Sequence, residues 1–387
     1  MRHLYFDYNA TTLTHPEVRD MMLPYFSEKF GNPGCSHLPG MFAREAVAEA
    51  RANVAALLNV EPEFVIFTSG ATEANNLAIL GTAGPFAPED RPRRIALSAV
   101  EHPAVFAPAT ALERLGVKKF VIPVDSQGVL DLASLERVCA TGGPGLLAVM
   151  LANNETGTLN PVQEAAAIAK EYGWFVHCDA AQAVGKIPVD VRDLGVDYLS
   201  VAGHKCYAPK GVGALIVASD EARRRIQPVT FGGGQEGGLR PGTENVPYMV
   251  ALGAAAELAG RDVAAEAARQ KALGLRFLAG LDDIGRAFML FGRPMHHDAR
   301  LPQTANVGFE GAAAGDILSG LVARDVAVSG GAACHAGQVR VSATLQAMNA
   351  PERYAAGAIR FSWGRFTQEA DIDELLERLE ETLGELG

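Results

Sequence analysis

Cysteine is scarce and shows no pairing pattern. Five residues, Cys35, Cys139, Cys178, Cys206 and Cys334, are scattered through 387 positions without one CxxC pair. An odd, dispersed set argues against a disulfide framework and fits reduced thiols in a cytoplasm. Positive charge is also short. The 34 Lys and Arg face 45 Asp and Glu, a net charge of −11, which argues against binding the phosphate backbone of nucleic acid. No apolar run approaches the roughly 20 residues of a membrane-spanning helix. The opening Met1-Arg2-His3-Leu4-Tyr5-Phe6-Asp7 reaches an acid too soon for a secretory signal. Neither an HExxH pair nor a Walker A loop is present. His296-His297 reads as a solvated loop, so no metal site is expected.

What is there is a globular composition, 48% hydrophobic and 20% charged, on a chain long enough for two cores. Apolar runs at residues 64–68, 94–100, 146–151, 174–178, 198–201 and 213–218 read as strands. Helical patterns lie between several of them, as at 161–172. This alternation predicts an α/β fold, a mostly parallel mixed sheet flanked by helices, with ligands at the carboxyl ends of the strands. Beyond about residue 255 the texture becomes Ala-rich and helical. Strands at 304–309 and 359–362, a helix at 312–325 and a charged helix at about 368–386 then predict a smaller α+β domain. The expected division is a large domain at 15–255 and a small one formed by 1–14 and 256–387.

Lys205 organises the chemistry. It follows the apolar run 198–201, while the neighbouring run 174–178 ends on Asp179, with Gln182 three residues on. A lysine and a carboxylate at adjacent strand exits can face one ligand, and pyridoxal phosphate needs that pair: an amine for a Schiff base and an acid for the ring nitrogen. Thr68-Ser69-Gly70-Ala71-Thr72-Glu73 fits either a phosphate-binding helix start or a plain capping box with Ser69 or Thr68 as cap. His102 either stacks on a cofactor and shuttles protons or caps a helix ahead of Pro103. Asn153-Asn154-Glu155-Thr156-Gly157 is either a polar turn or part of a site. The glycines between Phe231 and Asn245 form a loop, either a flexible surface one or one where backbone approaches something closely. Cys334 lies on a Gly/Ala loop and is a candidate nucleophile, provided its thiol ionises. Cys178, Cys206 and Cys139 read as packing, and Cys35 stays open.

Taken in order, these motifs resemble the cysteine desulfurase and selenocysteine lyase family, within the class V aminotransferases of pyridoxal-phosphate fold-type I. The likeness covers nearly the whole chain, from Tyr5–Thr12 and Gly31-Asn32-Pro33 to Arg360-Phe361-Ser362. It implies that Lys205 holds pyridoxal 5′-phosphate and moves the substrate Cα proton. Asp179 then pairs with the ring nitrogen, Gln182 meets the ring hydroxyl, and His102 stacks on the ring. Ala71, Thr72 and His204 hold phosphate, joined by Thr243 from the other subunit of a homodimer. Asn32, Asn154 and Arg360 bind substrate. Cys334 attacks the sulfur of L-cysteine or the selenium of L-selenocysteine, releasing alanine. A sulfur-acceptor or scaffold protein is an expected partner. Two positions depart from the family pattern. Ala202 replaces a common phosphate-binding serine, and Pro103 follows Glu101-His102 where lysine or aspartate is usual. Cysteine desulfurase is the expected activity, with selenocysteine lyase the close alternative and a plain aminotransferase the alternative without sulfur chemistry.

Overall fold

A computed structural model describes residues 3–330 and 341–387. Cys334 and His335 lie outside the described residues. A short strand β1 (Leu4–Tyr5) precedes the main sheet. That sheet is built from β2 (Val65–Thr68), β3 (Arg94–Ser98), β4 (Lys118–Ile122), β5 (Leu146–Met150), β6 (Phe175–Asp179), β7 (Tyr198–Ala202) and β8 (Gly213–Val217). Its order is β2-β8-β7-β6-β5-β3-β4, and only β8 runs antiparallel to its neighbours. Strands β2, β3, β5, β7 and β8 are buried at every position. Continuous apolar strands of that kind suit a sheet covered on both faces, as predicted. Edge strand β4, Lys-Lys-Phe-Val-Ile, escaped the sequence reading because its charged, half-exposed pattern breaks the apolar run.

Strands β9 (Phe288–Phe291), β10 (Thr304–Phe309) and β12 (Ala358–Ser362) form a second, antiparallel sheet. β11 (Val326–Ala327) pairs in parallel with β1, and Asp7 bridges to Ser362. The N-terminal segment therefore joins the C-terminal elements, and Leu4 and Phe6 are buried in the same core as Phe277, Phe361 and Trp363.

The two cores share one helix, Val246–Ile284, of 39 residues. At 1.5 Å per residue it is about 58 Å long. Its first half buries Met249, Ala251, Leu252 and Ala255 in the large core, and its second half buries Leu273, Phe277 and Leu281 in the small one. Gly253 permits close packing, since a Cβ there would lie 2.4 Å from the Cα of Ala50 in the helix Leu38–Leu58. Residue 255 lies inside this continuous helix. None of the helices among the described residues is long and apolar enough to cross a membrane.

Candidate active site

The parallel register of the sheet sets the chemistry side by side. Met150, Asp179 and Ser200 are partners across β5, β6 and β7. Chain leaving these strands at the same edge opens into a cavity of about 770 Å³, lined by Lys205, Asp179, Gln182, His102, His204 and Arg360 among others.

One wall is the start of the helix Ala71–Ala83. The structure corrects the expected capping: the N-cap is Gly70, which has no side chain to offer, rather than Ser69 or Thr68. Gly70 has φ +152°, a conformation that favours glycine, and Gly213 must also be small. A Cβ on Gly213 would lie 2.7 Å from the Gly70 Cα and 2.4 Å from the Val201 carbonyl oxygen. These two glycines bring the helix start against the end of β7, beside Lys205. Glu73 reaches back to accept from the Ser69 amide (2.7 Å) and pairs with Arg240 (2.8 Å). That leaves the Ala71 and Thr72 end of the helix facing the cavity, with Lys205, Lys210 and His204 also on its wall. A helix start without a side-chain cap, beside Lys205 and Lys210, suits a phosphate.

Asp179 is buried and lines the same cavity. Its Oδ2 accepts from Asn75 Nδ2 at 2.7 Å and its Oδ1 from the Ala181 amide at 3.0 Å. Both bonds hold the carboxylate in one orientation on the cavity wall. The cavity thus brings together the groups that pyridoxal phosphate needs: an uncapped helix start for an anion, a fixed carboxylate and an amine.

Lys205 Nζ donates to the carbonyls of Asn9 and Ala10, the latter at 2.9 Å. Burial, followed by the nearby Arg360 cation, lowers its pKa to about 8, with Asp7 and Asp179 opposing. A free-base amine is thereby accessible near neutral pH. Gln182 Nε2 donates to the same Asn9 carbonyl at 2.9 Å.

His102 is the next residue on the cavity wall. It is the N-cap of the helix Pro103–Arg114, its Nδ1 accepting from the Ala104 amide at 3.1 Å. With Nδ1 committed as an acceptor, the neutral ring carries its hydrogen on Nε2. Burial lowers its pKa, as does Lys205, against an opposing Asp179. The adjacent Glu101 is buried and accepts from Ser98 Oγ and the Met150 amide, both at 2.7 Å. Burial pushes its pKa up to about 8.

Arg360 enters from β12. Its Nη1 donates to the Asn154 carbonyl at 3.1 Å and its Nη2 to Asp7 Oδ1 at 2.7 Å. Asn153, not Asn154, shapes the polar turn. Its Oδ1 accepts from the Glu155 and Thr156 amides, and its Nδ2 donates to the Val100 carbonyl. The sequence left turn and site as alternatives at 153–157; Asn153 makes the turn and Asn154 lines the cavity.

Ala71, Thr72, His102, Asn154, Asp179, Gln182, His204, Lys205 and Arg360 all line this cavity. Asn32 and Thr243 do not. Asn32 is exposed and its side chain accepts from the Gly34 amide, while Thr243 is exposed on the glycine-rich loop. That loop is not loose within the chain. Glu236, buried at φ 48°, takes two bonds from Arg51 and one from the Phe67 amide at 2.7 Å, and Arg240 holds Glu73. Cys139, Cys178 and Cys206 are buried, as read, and Cys35 is half-buried. His296 is exposed, but His297 braces its turn against Arg293 and the Ala299 amide.

Four contributors were not singled out from sequence: Asp7, Asn9, Asn75 and Lys186. Asn75 had a visible signal, a polar residue on the buried side of an Ala- and Leu-rich helix.

The family model for class-V aminotransferases matches residues 4–375. The chain belongs to that family. It is 41% identical over 377 residues to cysteine desulfurase 2 of Trichormus variabilis, covering 97% of this chain and 92% of the relative. It is 40% identical to the cysteine desulfurase IscS of Dictyoglomus turgidum, covering 100% and 95%. Among solved structures, a NifS-like protein superposes with a TM-score of 0.90 at 35% identity, over 99% of this chain and 100% of that one. SspA in complex with cysteine superposes at 0.80 with 31% identity, over 94% and 100%. This family member therefore has the fold-type I architecture and depends on pyridoxal 5′-phosphate.

Proposed function

We propose that this class-V family member is a cysteine desulfurase that converts L-cysteine to L-alanine and passes the sulfur onward as an enzyme persulfide. The observation that carries the proposal is the convergence of Lys205, Asp179, His102 and Arg360 on one cavity, in a chain alignable end to end with relatives named for that activity.

When bound, the cofactor supplies an electron sink for charge developing at the substrate Cα. Lys205 would hold it and, as a free base, take the Cα proton. Asp179, fixed by Asn75 and the Ala181 amide, would keep the ring nitrogen protonated. Ala71, Thr72 and His204 would seat the phosphate. Gln182 would donate to the ring hydroxyl, and Nε2–H of His102 would face the ring. Arg360 binds the substrate carboxylate beside Asn154. Asn32 and Thr243 would reach a site only from a second subunit or after movement. The Cys334 thiolate then attacks the substrate sulfur. The S–S bond forms as the Cβ–S bond breaks, and the carbon keeps the electron pair and is protonated to alanine. The persulfide is the form in which an acceptor or scaffold protein would collect sulfur.

The reading includes a cytoplasmic homodimer with Thr243 completing the partner's phosphate site. It is supported by the loop that carries Thr243, pinned at Glu236 and Arg240 yet presenting that residue to solvent. Exposed Phe26, Phe30, Leu38 and Phe42, at 55%, 72%, 60% and 51%, add apolar surface that a second copy would cover. We assign residues 15–255 to the cofactor-binding unit and 1–14 with 256–387 to the unit that carries Cys334.

The test is one assay on purified protein: visible absorbance, with alanine, sulfide and selenide release from cysteine and selenocysteine. Alanine with sulfide supports the proposal. Selenide release from selenocysteine, without turnover of cysteine, would move the assignment to selenocysteine lyase.

A further inference from the structure

Lys186 is 94% withdrawn from solvent, at 6% exposure, and does not line the cavity. Among the described residues its amine makes one hydrogen bond, to Gln182 Oε1 at 2.6 Å, and no ion pair. A buried lysine without a carboxylate is costly and calls for an explanation. The charged and titratable groups that act on it are Lys205, Cys206 and Arg360, and burial followed by Lys205 holds its pKa well below the usual lysine value.

The bond to Gln182 has a directional consequence. An amide has one acceptor end and one donor end. The Lys186 amine donates to the Gln182 oxygen and holds that end of the amide. The Gln182 nitrogen is then committed to the other side, where it donates to the Asn9 carbonyl that Lys205 also uses. A continuous chain results: Lys186 to Gln182, Gln182 to the Asn9 carbonyl, and Lys205 to that same carbonyl. Lys186 and the Asn9 carbonyl thus select the same amide orientation of Gln182 from its two ends.

We propose that Lys186 is a positioning residue that locks the Gln182 side chain with its N–H₂ toward the cofactor's ring hydroxyl and the lysine that anchors it. The proposal rests on the pyridoxal phosphate site described above, and its effect is spectroscopic before it is kinetic. A donor to the ring oxygen stabilises the deprotonated oxygen and lowers the pH midpoint of the visible band.

The experiment is a pH titration of the visible absorbance of the holoenzyme, wild type against Lys186→Met, with Lys186→Leu as a second variant lacking the donor. The midpoint should rise in the variant by roughly 0.5–1 pH unit, the value of one hydrogen bond. In a Gln182→Met background the added Lys186→Met change should produce no further rise. A wild-type protein without a Lys205-dependent visible band would refute the site itself, a result separate from this one. A wild-type band with an unmoved midpoint in a folded Lys186 variant would overturn the proposal. So would failure of both variants to fold by circular dichroism, which would assign Lys186 to architecture alone.

Discussion

Asp7 holds Arg360. The two lie 353 residues apart in sequence, and the 2.7 Å bond from Arg360 Nη2 to Asp7 Oδ1 joins the N-terminal segment to β12 within a largely buried ion pair. The guanidinium is thus held in one orientation on the cavity wall. Asp7→Ala should raise KM for cysteine about 10-fold, in line with about 1.5 kcal/mol for a charge-assisted hydrogen bond, and change kcat less. Steady-state kinetics check this. An unchanged KM would show that Arg360 needs no help to stay in place.

Lys205 should react in the pH range where its amine loses its proton. The pKa of about 8 results from burial and then Arg360. The free base is the nucleophile, so the rate at which apoenzyme recaptures pyridoxal phosphate should climb with pH and level off above about 8. Stopped-flow absorbance measures it, and a flat profile through that midpoint would contradict the assignment. Lys205→Ala should lose both the visible band and turnover.

Asp179→Ala should slow exchange of the substrate Cα proton in deuterated water as well as product formation. Asn75→Ala should do the same more weakly, by roughly 5- to 10-fold, because it removes one of the two bonds that hold the carboxylate. Proton NMR of the substrate reads the exchange directly. Equal exchange in the wild type and Asp179→Ala would remove Asp179 from the chemistry.

Arg51→Ala should destabilise the fold by about 3–5 kcal/mol, because it strands the buried Glu236 carboxylate. Arg51 also donates to the Val65 carbonyl, so the change loosens the glycine loop from β2. Denaturant unfolding gives the stability, and light scattering on the same samples should show a weakened dimer. A native-like midpoint together with an intact dimer would mean the loop is held by other contacts.

Cys334→Ala should abolish sulfide release from cysteine while retaining part of the selenocysteine activity. A selenol is already ionised and its bond to carbon is weaker. Assaying one variant on both substrates decides the matter. Equal retention of the two activities would show that Cys334 is not the nucleophile.

The sequence by itself determined the class of fold and named most of the polar residues that meet in the cavity. Strands covered on both faces are largely apolar, so β2, β3, β5, β7 and β8 announce themselves as runs, and the residues just beyond the parallel ones are where ligands bind. Lys205 and Asp179 were therefore legible from position alone; His102 stood between a helix cap and a ring contact, and the family likeness supplied its expected role with those of Arg360 and Gln182. Tertiary structure decided which groups control those residues. Asp7 reaches Arg360 and Asn9 reaches Lys205 only because the N-terminal segment crosses the chain to bridge Ser362. Lys186 governs Gln182 only because the turn after β6 buries it. Hydrogen bonds and ion pairs act over a few ångströms and have no periodicity along the chain. A pattern read in one dimension identifies the apolar elements and the reactive side chains, whereas the partners that orient them exist only once the chain has folded.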